Sequence, residues 1–300
     1  MKKIEKEKIK TWFVTGASSG VGHELCAQLL DRGYNVIAIA RRIPDFKHEN
    51  ALCLSADVTK PETIKEAVKQ GIERFKKIDV LSNNAGISAG ITCEEETLEH
   101  MKQVMEVNFF GTFNAVNALL PHFRKNKNGT ILNNTSQSGI TPRLYGSAYC
   151  SSKHAIEGLT GVCLLETYKF CRVMSFELGW FKNTEISKTM SEKEPEFTEY
   201  KNLKNIHKNI YLTFENDLEK AVSIIINQIE CEKPPRRLML GRDSCLKAKA
   251  EINWLKKDLK KSIKLTSRCS KYKLDLILDL LFRFCRKVIR KIKSKTIQKG

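Results

Sequence analysis

The 300 residues leave room for one sizeable α/β domain with an appendage, and not for two large domains with linkers. The ten cysteines are scattered, with no C-x-x-C pair and no His/Cys cluster at ligand spacing, which argues against zinc and against a disulfide framework and fits reduced thiols in a cytoplasmic protein; no metal is expected. The net charge of +18 is unevenly held, residues 246–300 carrying +14 and residues 1–245 only +4, so a nucleic-acid-binding reading of the whole chain is not supported.

Met1 to Lys10 is basic, but the apolar run behind it has strand length rather than the length of a signal peptide. No segment reaches the roughly 20 uninterrupted apolar residues of a spanning helix. The nearest, Leu274 to Phe284, contains Asp275, Asp279 and Arg283. Short β-rich runs recur at Thr11 to Thr15, Asn35 to Ala40, Ala51 to Ala56, Asp79 to Asn83, Thr130 to Thr135, Arg172 to Phe176 and Arg237 to Leu240, with helical periodicity between them. They are continuous rather than alternating, as strands covered on both faces are. They predict an α/β fold, a doubly wound parallel seven-stranded sheet, over residues 1–245. Residues 185–216 break the pattern with a polar stretch expected to be a substrate flap. Residues 246–300 form a basic helical extension, with Leu274, Ile277, Leu281, Val288 and Ile292 among the apolar residues on one face.

The first strand runs into Thr15-Gly16-Ala17-Ser18-Ser19-Gly20-Val21-Gly22 and then a helix. Glycines there let backbone N–H groups and the positive helix end approach a pyrophosphate, so Gly16, Ser18, Ser19, Gly20, Val21 and Gly22 are cofactor candidates. The second strand ends at Arg41, where an acid would meet the ribose hydroxyls of NAD; an arginine suits the 2′-phosphate of NADP(H), with NAD(H) the alternative. Tyr149 and Lys153, four apart, share one helix face, and a cation there is expected to lower the phenol's pKa. Ser136 stands thirteen residues upstream, past a strand end on the same rim.

Together with Asn83-Asn84-Ala85-Gly86 and Asn108, these residues resemble, in order and spacing over about residues 10 to 245, the short-chain dehydrogenase/reductase family. The resemblance implies a Rossmann fold and an NAD(P)-dependent alcohol dehydrogenase or carbonyl reductase. Tyr149 would exchange a proton with the substrate oxygen, Ser136 would hydrogen-bond it, Lys153 would hold the nicotinamide ribose, and Asn108 would hold a water linking Lys153 to solvent. Asp57 and Val58 would contact the adenine, Asn84, Ala85 and Gly86 would line the channel, and Thr184 would touch the carboxamide. Plainer roles stand beside these: a solvated Arg41, a strand-end cap at Ser136, an acid opening a helix at Asp57, a helix-bending Asn108. One departure is Glu177-Leu178-Gly179-Trp180, where members usually show Pro-Gly.

Leu120-Pro121-His122-Phe123 and the run Pro234 to Gly241 resemble the branch of 17β-hydroxysteroid and retinol dehydrogenases and bacterial reductases, which implies a small apolar carbonyl or alcohol substrate. Family members commonly form homo-oligomers through the helices corresponding to those of Asn108 and Tyr149. Residues 246–300 fit packing on the domain or on a neighbouring subunit, an anionic membrane surface on the cytoplasmic side met through residues 270–300, or, least well, nucleic acid. The alternative to catalysis is an NADP(H)-binding sensor or a membrane-surface scaffold.

Overall fold

The computed structural model describes residues 11–182, 195–203 and 216–266. The chain alternates β1 (Thr11–Thr15), α1 (Gly20–Asp31), β2 (Asn35–Ala40), β3 (Ala51–Ser55), α2 (Pro61–Phe75), β4 (Val80–Asn83), α3 (Leu98–Met105), a π-helical turn Glu106–Phe110, and α4 (Gly111–Asn126). It continues through β5 (Thr130–Asn134), a 3-10 turn Gln137–Gly139, α5 (Ser147–Glu166), β6 (Arg172–Leu178), α6 (Leu218–Ile229), β7 (Arg237–Leu240) and α7 (Arg242–Thr266). The strands form one seven-stranded sheet in the order β3-β2-β1-β4-β5-β6-β7, every neighbouring pair parallel. This is the doubly wound Rossmann arrangement the strand runs predict.

Neighbouring residues of β1 explain why the runs are continuous. Trp12 and Val14 pack with Leu25, Leu29, Phe176 and Ile225 on one face of the sheet, and Phe13 packs with Ile37, Leu81, Phe123 and Ile131 on the other. With apolar layers on both faces, the polar strand residues that do occur, such as Asn83 and Asn133, are buried and hydrogen-bonded to one another. The chain reverses between β1 and β4, and that switch point leaves a crevice at the carboxyl ends of the strands.

Strand boundaries depart from expectation by at most one residue, except at β6, which runs on two residues to Leu178 instead of ending at Phe176. Leu178 aligns with Leu240 of β7, and the Gly179 N–H donates to the Leu240 carbonyl at 2.8 Å. A proline at Leu178 would lack an N–H and strain a strand continued this far.

The chain divides into two compact units, Met1–Lys249 and Ala250–Gly300. In the second, the described residues belong to α7, where Ile252, Leu255, Leu259 and Ile263 are exposed. Among the described residues no helix is long and apolar enough to cross a membrane. Thr184, most of the expected flap and the amphipathic segment 270–300 lie outside the described residues.

Candidate functional site

At the switch point the turns after β1 and β4 interlock. Thr15 Oγ1 accepts hydrogen bonds from the amides of Asn84 (3.0 Å) and Ala85 (3.1 Å). Gly16 has φ +67, and a Cβ on it would lie 2.8 Å from the Ala85 backbone, so a glycine is needed for both conformation and approach. A Cβ on Gly22 would lie 2.3 Å from the Gly16 carbonyl. Helix α1 starts with no side-chain cap from Ser19 and no acid in its first turn, which leaves its amino end suited to an anion.

A cleft of about 1020 Å³ opens from this turn. Its lining includes Gly16, Ser18, Ser19, Gly20, Val21, Gly22, Arg41, Asp57, Val58, Asn84, Ala85 and Gly86, so every cofactor candidate within the described residues reaches it or, like Tyr149 and Lys153, lies beside it. Arg42, Gln103 and Glu106 also line it without having been marked by any motif. Partial burial of Asp57 is outweighed by hydrogen bonds from the Thr59 amide and hydroxyl and by the charges of Arg41 and Lys60, which hold its carboxyl below the usual range. Arg41 is exposed, and Arg42 reaches the Ser18 carbonyl at 3.4 Å. The uncapped helix start and the glycine turn fit a dinucleotide.

Ser136, Tyr149 and Lys153 converge beside the cleft. Ser136 sits at φ 55, a left-handed conformation that a serine adopts only where the surroundings enforce it. Its amide donates to Asn134 Oδ1, its Oγ accepts from the Ser138 amide, and its hydroxyl is near enough to the Tyr149 phenol to favour the ionised form. Lys153, buried one turn along α5, donates from Nζ to the Asn134 carbonyl at 2.7 Å, and its Nζ lies 5.5 Å from the centre of the Tyr149 ring. Asn134 and Gly86 line the cleft, and the Nζ lies 3.8 Å from where a Gly86 Cβ would stand.

One expectation changes here. Burial pushes the Tyr149 phenol above its ordinary pKa, against the opposing pull of the Ser136 hydroxyl and the Arg143 charge, so the expected lowering by Lys153 is not the net result. The Lys153 Nζ stands 5.5 Å from the ring centre, and burial holds Lys153 itself down to about 7. Asn108 is completely buried in the π-helical turn, where Nδ2 donates to the Ile87 carbonyl (3.0 Å) and Ser152 Oγ (2.9 Å) while Oδ1 accepts from the Ile87 amide (2.8 Å). Its side chain braces the loop after Gly86 against α5.

The sequence reading missed Arg143 and Asp243. Arg143 lies over Tyr149, with its guanidinium carbon 5.0 Å from the ring centre. Asp243, buried at the start of α7, accepts from the Trp180 amide (2.7 Å) and Asn216 Nδ2 (2.9 Å) and fastens the loop after β6. Neither is in a local motif; Asp243 is held by partners 27 and 63 residues away, and Arg143 by Ser88, 55 residues away, as well as by the nearby Tyr149 ring. Of the expected flap, residues 195–203 attach beside the site through Glu196 N to Glu95 Oε1, Tyr200 Oη to Glu94, and Tyr145 Oη to the Tyr200 carbonyl.

Residues 10–195 match the family model described as short chain dehydrogenase. An uncharacterized oxidoreductase of Schizosaccharomyces pombe is 28% identical over 274 residues, 89% of this chain and 94% of that protein. A 3-ketodihydrosphingosine reductase of Bacteroides thetaiotaomicron is 35% identical over 188 residues, 61% of this chain and 70% of that one. Among solved structures, a short-chain dehydrogenase from Streptomyces avermitilis superposes with a TM-score of 0.78 at 29% identity, covering 88% of this chain and 99% of its own.

Proposed function

The chain belongs to the short chain dehydrogenase family, and from that footing we propose that it exchanges hydride between NADP(H) and an apolar alcohol or carbonyl compound, with Tyr149 as the acid/base. The observation that carries the reading is the meeting of Ser136, Tyr149 and Lys153 beside a cleft lined by the glycine turn and Arg41. The nicotinamide, when bound, supplies or takes the hydride. In the reductive direction the Tyr149 hydroxyl gives its proton to the substrate oxygen, and the Ser136 hydroxyl donates a hydrogen bond to the negative charge developing there. Lys153 holds the ribose and passes the replacement proton, while Asn108 fixes the loop bearing Gly86. Arg41 and Arg42 favour NADP(H), because a guanidinium fork matches a phosphate.

An apolar substrate is supported by the lipid-like substrate in the name of the Bacteroides reductase. Phe110 and Phe113, around the start of α4, and Val162 and Leu165 on α5 are exposed, which supports a homo-oligomer paired through these helices. A second, peripheral-membrane role has its own observation. Ile252, Leu255, Leu259 and Ile263 recur three and four residues apart, with Lys256, Lys257, Lys260 and Lys261 between them, a pattern suited to an anionic lipid surface. Sedimentation with phosphatidylserine vesicles, compared with neutral ones, tests it.

The first experiment follows NADPH and NADH oxidation across long-chain ketones and aldehydes, with wild type beside Tyr149→Phe. Turnover lost in the variant while NADPH still binds is the expected result. Turnover retained in Tyr149→Phe refutes the mechanism. NADPH binding with no turnover of any compound favours a cofactor-binding sensor.

A further inference from the structure

Arg143 stands six residues before Tyr149, in the loop leading to α5. Its side chain is held on three sides. The stem passes Gly146, where a Cβ would come within 2.9 Å of Arg143 Cγ. Nη2 donates to Ser88 Oγ at 2.8 Å, and Ser88 is itself buried at the edge of the cofactor cleft. The guanidinium carbon lies over the Tyr149 ring, 5.0 Å from its centre. Nη1 is buried and has no hydrogen-bond partner, and among the described residues no carboxylate pairs with Arg143. A cation placed in this way, with no carboxylate paired to it among the described residues, acts on whatever charge develops in the ring beneath it.

We propose that Arg143 is a positioning residue for the proton-transferring tyrosine: tethered by Ser88 and stacked on the Tyr149 ring, it supplies the permanent positive charge that favours the phenolate. The proposal rests on Tyr149 being the acid/base. A cation over an aromatic face is attracted to the ring electrons, and the attraction grows when the phenol ionises and the ring becomes richer in charge.

The surroundings of Tyr149 leave this role open. On α5, Lys153 is engaged with the Asn134 carbonyl and is held by burial at about 7, so near neutrality only part of it is charged. Cys150, also on α5, works against ionisation, and from the loop after β5 the Ser136 hydroxyl works for it. On α7, Lys247 faces Arg143; burial depresses it first, Asp243 raises it, and the Arg143 charge depresses it further. A guanidinium stays charged throughout the working range, so Arg143 is the constant member of the group.

The test has two readouts. One is the phenolate absorbance of Tyr149 against pH, taken as the difference between each protein and the same protein with Tyr149→Phe. The other is kcat/KM against pH in both directions with NADPH or NADP. Arg143→Gln is expected to move the Tyr149 titration up by about one pH unit. Oxidation needs the phenolate, so its kcat/KM at a pH below the limb falls about tenfold. Reduction needs the phenol, so it is retained at that pH and extends to higher pH. Arg143→Lys restores part of the shift, and Ser88→Ala produces a smaller shift in the same direction. A purely structural or substrate-binding role would lower both directions together and leave the titration in place, and that result overturns the proposal. If Arg143→Gln does not fold, an unshifted titration in both Arg143→Lys and Ser88→Ala overturns it equally. Turnover persisting in Tyr149→Phe alone would instead remove the reading of Tyr149 on which the proposal rests, a result separable from the Arg143 series.

Discussion

The carboxyl groups of Glu157, two turns beyond Tyr149 on α5, and Glu177, on β6, face one another in the interior, where Glu157 Oε1 and Glu177 Oε2 are both buried and have no other partner. Arg237 Nε lies 2.7 Å from Glu157 Oε2 and 4.0 Å from Glu177 Oε1, and Ser175 Oγ donates to Glu177 Oε1 at 2.8 Å. A proton on Glu177 removes the repulsion between two buried carboxylates.

This pair makes stability depend on pH. Burial, and then the Glu157 charge, push the Glu177 carboxyl up to about 7. A folded-state pKa above the unfolded value means the native protein binds this proton more tightly. The contribution is therefore full below the ordinary glutamate range and is lost as pH rises through about 7. Glu177→Gln should remove the dependence: between pH 5 and 8 the wild type should lose ~2 kcal/mol more than the variant in urea unfolding. Parallel losses in the two proteins would refute it.

Replacing the reacting groups should separate chemistry from binding. Tyr149→Phe should reduce kcat by about a thousandfold and Ser136→Ala by about a hundredfold, with NADPH affinity within a few fold of wild type. Stopped-flow single turnovers beside fluorescence titration of NADPH check this. A large loss of NADPH affinity in either variant would assign the residue to cofactor binding instead.

Arg41→Asp should exchange cofactor preference. The guanidinium fork to a 2′-phosphate is worth ~2 kcal/mol, so the Kd for NADPH should rise about thirtyfold while that for NADH stays level or falls. Isothermal titration with both nucleotides decides it; equal weakening of both would mean that Arg41 does not reach the 2′ position.

Asp243→Ala should loosen the loop after β6. It leaves the Trp180 amide and Asn216 without their acceptor, which costs ~2 kcal/mol and lowers Tm by roughly 5 °C. The effect should be concentrated locally, as faster hydrogen exchange at Trp180. Unchanged exchange there would show that the loop is held by something else.

What the sequence makes legible follows from the range over which its signals act. The strands are legible because burial on two faces makes them mainly apolar runs without in/out alternation, as β1 shows with Trp12 and Phe13 pointing into opposite layers. The glycine turn and the Tyr149/Lys153 spacing are legible because their chemistry is local. The true end of β6 is not, since Leu178 continues the strand only through its pairing with β7. Arg143, Glu157 and Asp243 look like ordinary surface charges in sequence; their roles come from Tyr149, Glu177 and Trp180, which the fold brings to them. The direction of the Tyr149 shift is not legible for a related reason, because spacing reveals a neighbouring cation and not the depth at which the phenol is buried.

The Thr15 hydroxyl, by grasping both Asn84 and Ala85, rivets the first three strands to the last four at the place where the winding reverses. A chain cut between β3 and β4 would therefore yield two fragments that each expose half of a seam and have no partner for it. Neither half is a module that could be borrowed, swapped or folded by itself, and melting should run through both in a single step.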